Sequence, residues 1–465
     1  MASLARSSAA RLLRSSNNIK PRATGPSRSI QPAAQASFLH TSSRLQNIKD
    51  KKITEEEARQ IAATHHHGRA QQMSQNPPID IMTGEVVMQA DIDPSALVIE
   101  QTKSPKKMLP ASQLQFGHSF TDHMLLIPWS HSTGWGTPTI KPYGPLNLDP
   151  SSTVLHYACT LFEGMKAYRD AESGRVSLFR PDKNMERMNN SAARLAFPTF
   201  TGDNLTQCIK KLVSLDKNWI PSEPGHSLYI RPTMIGTQAA LGVGASTDVL
   251  LFVICSPVGP YYKTGFKPVS LLATTTDVRA WPGGTGGYKL GSNYAGGVVP
   301  QMAAATEGYQ QILWLFGEDH QLTEVGTMNL FVVLEDAQGN TELVTPPLRD
   351  IILPGVTRDS VLSLAKEHAS GKLNIEGLPK KFKVSERQLT MPQIHKLQKQ
   401  GKLKEMFGTG TAAVVSPIKE IGYDGEKIPV PVGSDGLGDV ARAMLREITG
   451  RQLGTIESEW SVVVE

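Results

Sequence analysis

Cysteine is scarce: Cys159, Cys208 and Cys255 are the three in 465 residues, odd in number and far apart. So few thiols argue against a disulfide scaffold and fit a reducing compartment. Long apolar runs are missing too. The longest, Val249 to Cys255, falls far short of the ~20 residues a bilayer-crossing helix needs, so no membrane association is expected. Acidic residues are absent from positions 1–49, which carry eight basic ones, among them Arg6, Arg11 and Arg14 beside Leu4, Leu12 and Leu13. That composition, rich in serine and small apolar residues, predicts an amphipathic mitochondrial presequence and a matrix location. A secretory signal would need a continuous apolar core, and a basic nucleic-acid tail is the other alternative. Cleavage is expected after the Phe38–Arg44 stretch. Without those eight charges the formal balance of +5 becomes −3, so the body of the chain carries no implied nucleic-acid patch.

What is present is organised in blocks. Residues 50–105 are polar and Pro-containing, with a short helix expected where Thr54 and Glu57 form a capping box. His65, His66 and His67 are adjacent there, and three consecutive side chains cannot all face one ligand on a helix, so they read as solvated rather than metal-binding. From Phe116 the pattern becomes α/β. Strands are expected at Met124–Trp129, Val176–Phe179, Ser227–Arg231 and Val249–Cys255, and helices at Pro181–Ala196 and Leu205–Leu215. Turn residues from Pro257 to Gly265 suggest an interdomain linker, drawn at 259–269. A second mixed region, 270–465, follows the first, 106–258. Its expected strands are Val269–Ala273, Gln311–Phe316, Thr327–Leu334 and Glu405–Gly408, and its helices Ala295–Glu307, Thr357–His368 and Asp439–Ile448.

Five glycines fall in the nine residues from Gly283 to Gly291, around one lysine, Lys289. So permissive a backbone allows close approach to a ligand, and the lysine brings an amine with no acidic neighbour in sequence. A nucleotide-binding P-loop would need Gly before the lysine and Ser or Thr after it. Here Tyr288 precedes and Leu290 follows. No carboxyl and histidine pair at metal-ligand spacing lies nearby, so no metal is expected.

With the Lys289 segment, three further segments of the second region supply what pyridoxal phosphate needs, since that cofactor offers an aldehyde, a ring nitrogen and a dianionic phosphate. Lys289 suits the aldehyde. Glu324, in Leu-Thr-Glu-Val-Gly-Thr-Met-Asn, suits the ring nitrogen, or is a turn carboxylate in solvent. Leu353-Pro354-Gly355-Val356-Thr357-Arg358 opens a helix whose first amides suit the phosphate, and Gly408-Thr409-Gly410-Thr411-Ala412 offers a second small-residue loop. Thr357 as a plain N-cap and the second loop as an ordinary turn remain open.

With Leu161-Phe162-Glu163-Gly164-Met165-Lys166-Ala167-Tyr168 and Leu228-Tyr229-Ile230-Arg231-Pro232 in the first region, these motifs, in this order, resemble the branched-chain amino acid aminotransferases, which are fold-type IV pyridoxal phosphate enzymes. The resemblance runs from about Phe116 to the C-terminus and leaves the first hundred residues uncovered. It implies a two-domain architecture with the cofactor at the domain interface. It implies Lys289 as the amine joined to the cofactor, Tyr294 as hydrogen-bond partner of the ring oxygen, Glu324 at the ring nitrogen, and Arg187, Val356, Thr357 and Thr411 at the phosphate. Read from spacing alone, Arg187 is a solvated helix residue.

Phe116, Tyr157, Phe162, Tyr229, Thr327, Thr411 and Ala412 match the family's substrate pocket, where an aromatic wall buries a branched side chain for about 1.5–3 kcal/mol. Arg231 alternates with Tyr229 on a strand, faces the same side, and is similar to the residue that takes the γ-carboxylate of glutamate. Leu241 and Val243 resemble residues that cover the neighbouring subunit's pocket, which implies a homodimer. The implied reaction is ping-pong transfer of the amino group of Leu, Ile or Val to 2-oxoglutarate. Animal members carry a Cys-x-x-Cys pair after the last loop where this chain has Ala413 and Ser416, so thiol redox control is not carried over. A D-amino acid aminotransferase or aminodeoxychorismate lyase of the same fold, or an idle scaffold protein, are the alternatives.

Overall fold

The computed structural model describes residues 89–260 and 267–464. The expected presequence, the Thr54 capping box, the histidine run and positions 261–266 of the expected linker lie outside the described residues. Among the described residues no helix is long and apolar enough to cross a membrane.

The architecture is mixed α/β, built on two sheets. The first has ten strands: β1 (Val98–Ile99), β2 (His123–Ser130), β3 (Gly134–Trp135), β4 (Thr139–Pro142), β5 (Thr160–Phe162), β6 (Met165–Arg169), β7 (Val176–Phe179), β8 (Ser227–Gly236), β9 (Asp248–Val258) and, from the far end of the chain, β19 (Ser461–Val463). The second has nine: β10 (Val269–Thr274), β11 (Gln311–Phe316), β12 (Gln321–Val325), β13 (Met328–Glu335), β14 (Thr341–Thr345), β15 (Phe382–Glu386), β16 (Leu403–Gly410), β17 (Val414–Tyr423) and β18 (Glu426–Pro429). The apolar run at 249–255 forms the middle of β9, which pairs antiparallel with both β2 and β8 and is therefore interior to its sheet. In the second sheet β10 pairs parallel with β11 and β17, and β16 joins β13 to β17.

The helices are α1 (Thr153–Tyr157), α2 (Pro181–Arg194), α3 (Gly202–Leu215), α4 (Ser292–Ala295), α5 (Val298–Thr306), α6 (Val356–Ala369), α7 (Met391–Lys399) and α8 (Asp439–Leu453). Pro181 sits where a helix start tolerates a residue without an N–H, and Met185, Met188 and Ala192 recur at helical spacing on the buried face of α2. With Cys208, Ile209 and Leu212 of α3 they pack on Leu125, Ile127 and Val253 of the first sheet. A second core places Val361, Leu364 and Met444 of α6 and α8 against Phe331 and Phe407, whose rings stack at 5.3 Å between centroids. Of the single helix expected over 295–307, regular structure stops at Ala295 and resumes at Val298. Gly296 and Gly297 account for the break, since each costs about 1 kcal/mol relative to Ala in a helix.

The glycine-rich segment that follows β10 joins the first sheet at β5. There Leu161 bridges Leu290, the Phe162 amide donates to the Lys289 carbonyl at 3.1 Å, and the Gly291 amide donates to the Thr160 carbonyl at 2.9 Å. The glycine-rich segment is thereby held as a short extra rung on the first sheet. Gly291 has to lack a side chain, because a Cβ there would sit 2.5 Å from Thr160 Cγ2.

Candidate active site

Lys289 is half-buried, with its backbone fixed from both sides: its amide donates to Ser191 Oγ at 2.9 Å, and its carbonyl receives the Phe162 amide. The side chain reaches away from the rung. Its Nζ lies 3.1 Å from the Tyr294 hydroxyl and 4.8 Å from the Phe162 ring centroid. Tyr294 is on α4, five residues on, and its ring meets Phe162 at 4.9 Å.

From Phe162 a contact chain leads through the first sheet. Arg231 lies over the Phe162 ring at 4.7 Å, its Nη2 donates to the Tyr229 hydroxyl at 3.1 Å, and Tyr229 meets Phe116 edge-on at 4.8 Å. The expected alternation of Tyr229 and Arg231 on one face of β8 is what allows their contact. Among the described residues the buried Arg231 Nε has no hydrogen-bond partner, which makes it a donor available to an anion. Gly164 must be bare, since a Cβ would stand 2.0 Å from the Tyr229 hydroxyl. Opposite, in the β16–β17 turn, Thr411 Oγ1 donates to the Gly164 carbonyl at 3.3 Å, and Lys166 Nζ donates to the Ala412 carbonyl at 2.9 Å. Burial pushes the Lys166 ammonium down to about 8.

The other expected pocket residues stand differently. The Tyr157 hydroxyl donates to the Leu241 carbonyl, and both residues are exposed. Val243 is 84% exposed, and Thr327 is exposed at the turn between β12 and β13. Neither is tied to the Lys289 cluster by a hydrogen bond or ring contact among the described residues.

Glu324 belongs to strand β12 rather than to a turn, and it is buried. Its Oε2 pairs with Arg279 Nε at 2.8 Å and its Oε1 accepts the Leu353 amide at 2.7 Å. Burial raises its carboxyl above the ordinary range, against the opposing pull of Arg279, the Leu353 amide and Lys289. Leu353 leads into α6, whose N-cap Gly355 offers no side chain to the first-turn amides of Val356, Thr357 and Arg358. Those amides and the positive end of the helix suit an anion. Gly355 is required because a Cβ would fall 2.0 Å from Asn329 Oδ1, and Asn329 Nδ2 in turn donates to the Leu353 carbonyl at 2.8 Å.

Arg187 corrects the reading from spacing: it is buried on the inner face of α2. Its Nε and Nη2 donate to the two oxygens of Glu163 at 2.7 and 2.8 Å, and its Nη1 donates to the Pro354 carbonyl at 3.0 Å. Burial alone would raise the Glu163 carboxyl, but Arg187, Lys289 and Asn184 together hold it below the ordinary range. Sequence reasoning missed Glu163 and Arg279 as partners. Glu163 stood in a quoted motif, between apolar residues where a solvated carboxylate is out of place. Arg279 gave no such signal.

The arrangement combines an amine held by a phenol, a buried carboxylate, and an uncapped helix start beside a buried guanidinium. These are the parts an aldehyde cofactor with a ring nitrogen and a phosphate requires. The residues present therefore fit such a group.

Comparison with known proteins agrees. Residues 160–421 match the amino-transferase class IV family. The chain is 53% identical over 378 residues to the mitochondrial branched-chain-amino-acid aminotransferase of Saccharomyces cerevisiae, covering 81% of this chain and 94% of that protein. It is 49% identical over 392 residues to the branched-chain-amino-acid aminotransferase of Monosiga brevicollis, covering 84% of this chain and 97% of the relative. Among solved structures, a T.th. branched-chain amino acid aminotransferase complexed with N-(5'-phosphopyridoxyl)-L-glutamate superimposes with a TM-score of 0.55 at 26% identity, covering 73% of this chain and 98% of that one.

Proposed function

Because the chain belongs to the class IV aminotransferases, and within them to the branched-chain-amino-acid aminotransferases, we propose that it moves the amino group of Leu, Ile or Val reversibly to 2-oxoglutarate, with pyridoxal phosphate as cofactor. The observation that carries this is the Lys289 amine, held 3.1 Å from the Tyr294 hydroxyl and 4.8 Å from the Phe162 ring centroid. Pyridoxal phosphate supplies, when bound, an aldehyde that takes an amine and a ring that withdraws electrons.

The protein's own residues do the rest. Lys289, once free, carries the proton to and from the substrate Cα, as base and then acid. Tyr294 orients that amine and the ring oxygen. Glu324, kept in place by Arg279 and the Leu353 amide, holds the proton on the ring nitrogen. Arg187, the amides of Val356 and Thr357, and Thr411 hold the phosphate.

Phe116, Tyr157, Phe162 and Tyr229 shelter the branched side chain from water, with Thr327, Thr411 and Ala412 closing the pocket. Arg231 receives the γ-carboxylate of glutamate in the same space, and its unpartnered buried Nε supports that role. Leu241 and Val243, at 66% and 84% exposure, support a homodimer in which they cover the partner's pocket. The two sheets support a smaller and a larger domain with the cofactor between them, but the expected bounds 106–258 and 270–465 shift, because Val98–Ile99 and the C-terminal strand Ser461–Val463 pair into the first sheet. The basic, acid-free first 49 residues support import into the mitochondrial matrix.

The deciding experiment mixes cofactor-loaded protein with leucine alone. The expected result is one equivalent of the leucine 2-oxo acid per site, with no further release until 2-oxoglutarate is added. Release that requires 2-oxoglutarate from the start, or that favours D-amino acids, rules the reading out. Gly164→Ala provides a second check. Its Cβ drives the Tyr229 hydroxyl away from Arg231, so KM for 2-oxoglutarate is expected to rise by ~10-fold, more than KM for leucine. Equal changes in both constants would disconnect Arg231 from the γ-carboxylate.

A further inference from the structure

We infer that Glu163 is the positioning residue of the phosphate end of the site: it locks Arg187 so that two of the guanidinium N–H groups stay available to an anion. This rests on the cofactor reading given above, and it concerns a residue that reading leaves without a role.

Glu163 is completely enclosed, and its carboxylate is saturated with donors. Oε1 takes Arg187 Nε at 2.7 Å, while Oε2 takes Arg187 Nη2 at 2.8 Å, Asn184 Nδ2 at 2.7 Å and the Gly164 amide at 3.1 Å. A buried ion pair roughly breaks even against apolar residues of the same volume, so stability gives no sufficient reason for a charge here. Geometry does. A guanidinium has five N–H groups in a rigid plane. Among the described residues Glu163 uses the one on Nε and one on Nη2, and the Pro354 carbonyl uses one on Nη1 at 3.0 Å. One N–H on each terminal nitrogen is left, two donors for the oxygens of a phosphate.

The lock also reaches the other end of the site. Pro354, which accepts from Arg187, follows Leu353, whose amide is bound by Glu324. Two residues later α6 begins. Glu163 therefore sets the guanidinium plane relative to the helix start that shares the phosphate with it. Charge alone predicts the opposite dependence: a carboxylate beside Arg187 weakens the attraction for an anion, and its removal would strengthen it. The sign of the effect separates the two accounts.

The test uses the full chain stripped of cofactor, titrated with pyridoxal phosphate and with pyridoxal, which lacks the phosphate, and read by absorbance. Glu163→Gln keeps the size of the side chain but replaces one oxygen with an NH2 group that would face an Arg187 donor. The expected result is an affinity for pyridoxal phosphate lowered by ~10-fold or more, with affinity for pyridoxal unchanged. Asn184→Ala, which removes only one of the donors holding Glu163, is expected to shift the same ratio in the same direction by ~3-fold, and it decides the matter if Glu163→Gln does not fold. Binding of pyridoxal phosphate that is unchanged or tighter, or an equal loss for both ligands, overturns the inference. A parent protein that binds neither ligand overturns the cofactor reading instead.

Discussion

Replacing Lys289 by Ala is expected to abolish transamination, with turnover down by at least ~10⁴-fold, and to remove the yellow colour of the cofactor-loaded protein at the same time. Both losses follow from one atom. Lys289 Nζ is the amine that the Tyr294 hydroxyl and the Phe162 ring hold in the cluster, while the buried Lys166 nearby is committed to the Ala412 carbonyl. The fold should survive the change, because the segment is fixed through the Lys289 backbone, from its amide to Ser191 Oγ and from the Phe162 amide to its carbonyl. Circular dichroism checks that point, and leucine-dependent glutamate formation checks turnover. A Lys289→Ala protein that keeps near-normal turnover contradicts the whole assignment.

Replacing Glu324 by Gln is expected to lower turnover by ~10²-fold or more while pyridoxal phosphate still binds. The amide can still accept from the Leu353 N–H, so the entry to α6 keeps its anchor. What it loses is the negative charge that would hold a proton on the ring nitrogen. The change also takes the counter-charge from Arg279, whose Nε pairs with Glu324 Oε2 at 2.8 Å and whose terminal nitrogens keep the Ile351 and Gly286 carbonyls, at 2.8 and 3.5 Å. Breaking a buried pair from one side costs about 3–5 kcal/mol, so the thermal midpoint should fall as well. Single-turnover rates with saturating cofactor separate the chemical defect from that loss of stability. Turnover close to that of the parent would remove Glu324 from the chemistry.

How much of this was legible in the sequence differs between elements. Val176–Phe179 and Gln311–Phe316 are strands with the expected bounds, since short apolar runs flanked by turn residues have few other uses. Helices α2, α6 and α8 follow from apolar spacing, and for α2 from Pro181 near its first turn. The break at Gly296 and Gly297 was readable in principle from two adjacent glycines. β12 was not: Gln321–Val325 is short and polar for a buried strand, and it is held by pairing with β11 and β13 that no local pattern announces.

The candidate site divides along the same line. Lys289 stands out because glycines surround it, and Thr357 because it falls in the first turn of a helix. Arg187 looked solvated, since nothing within α2 reveals that Glu163, 24 residues earlier in the chain, waits beneath it. Arg279 reads as any surface arginine until Glu324 is placed opposite.

By itself the sequence determined the α/β class, the strand and helix order over most of the body, and the set of motifs that identify the family. Those are local properties, written in side-chain period, backbone freedom at glycine and proline, and residue type. Only the tertiary structure decided which charges are neutralised inside the protein and which remain for a ligand: Glu163 on Arg187, Arg279 on Glu324, and, among the described residues, nothing on Arg231 Nε. The physical reason is that burying a charge is costly unless a partner is close, and closeness between β5 and α2, or between Arg279 and β12, is created by sheet pairing and packing between distant segments.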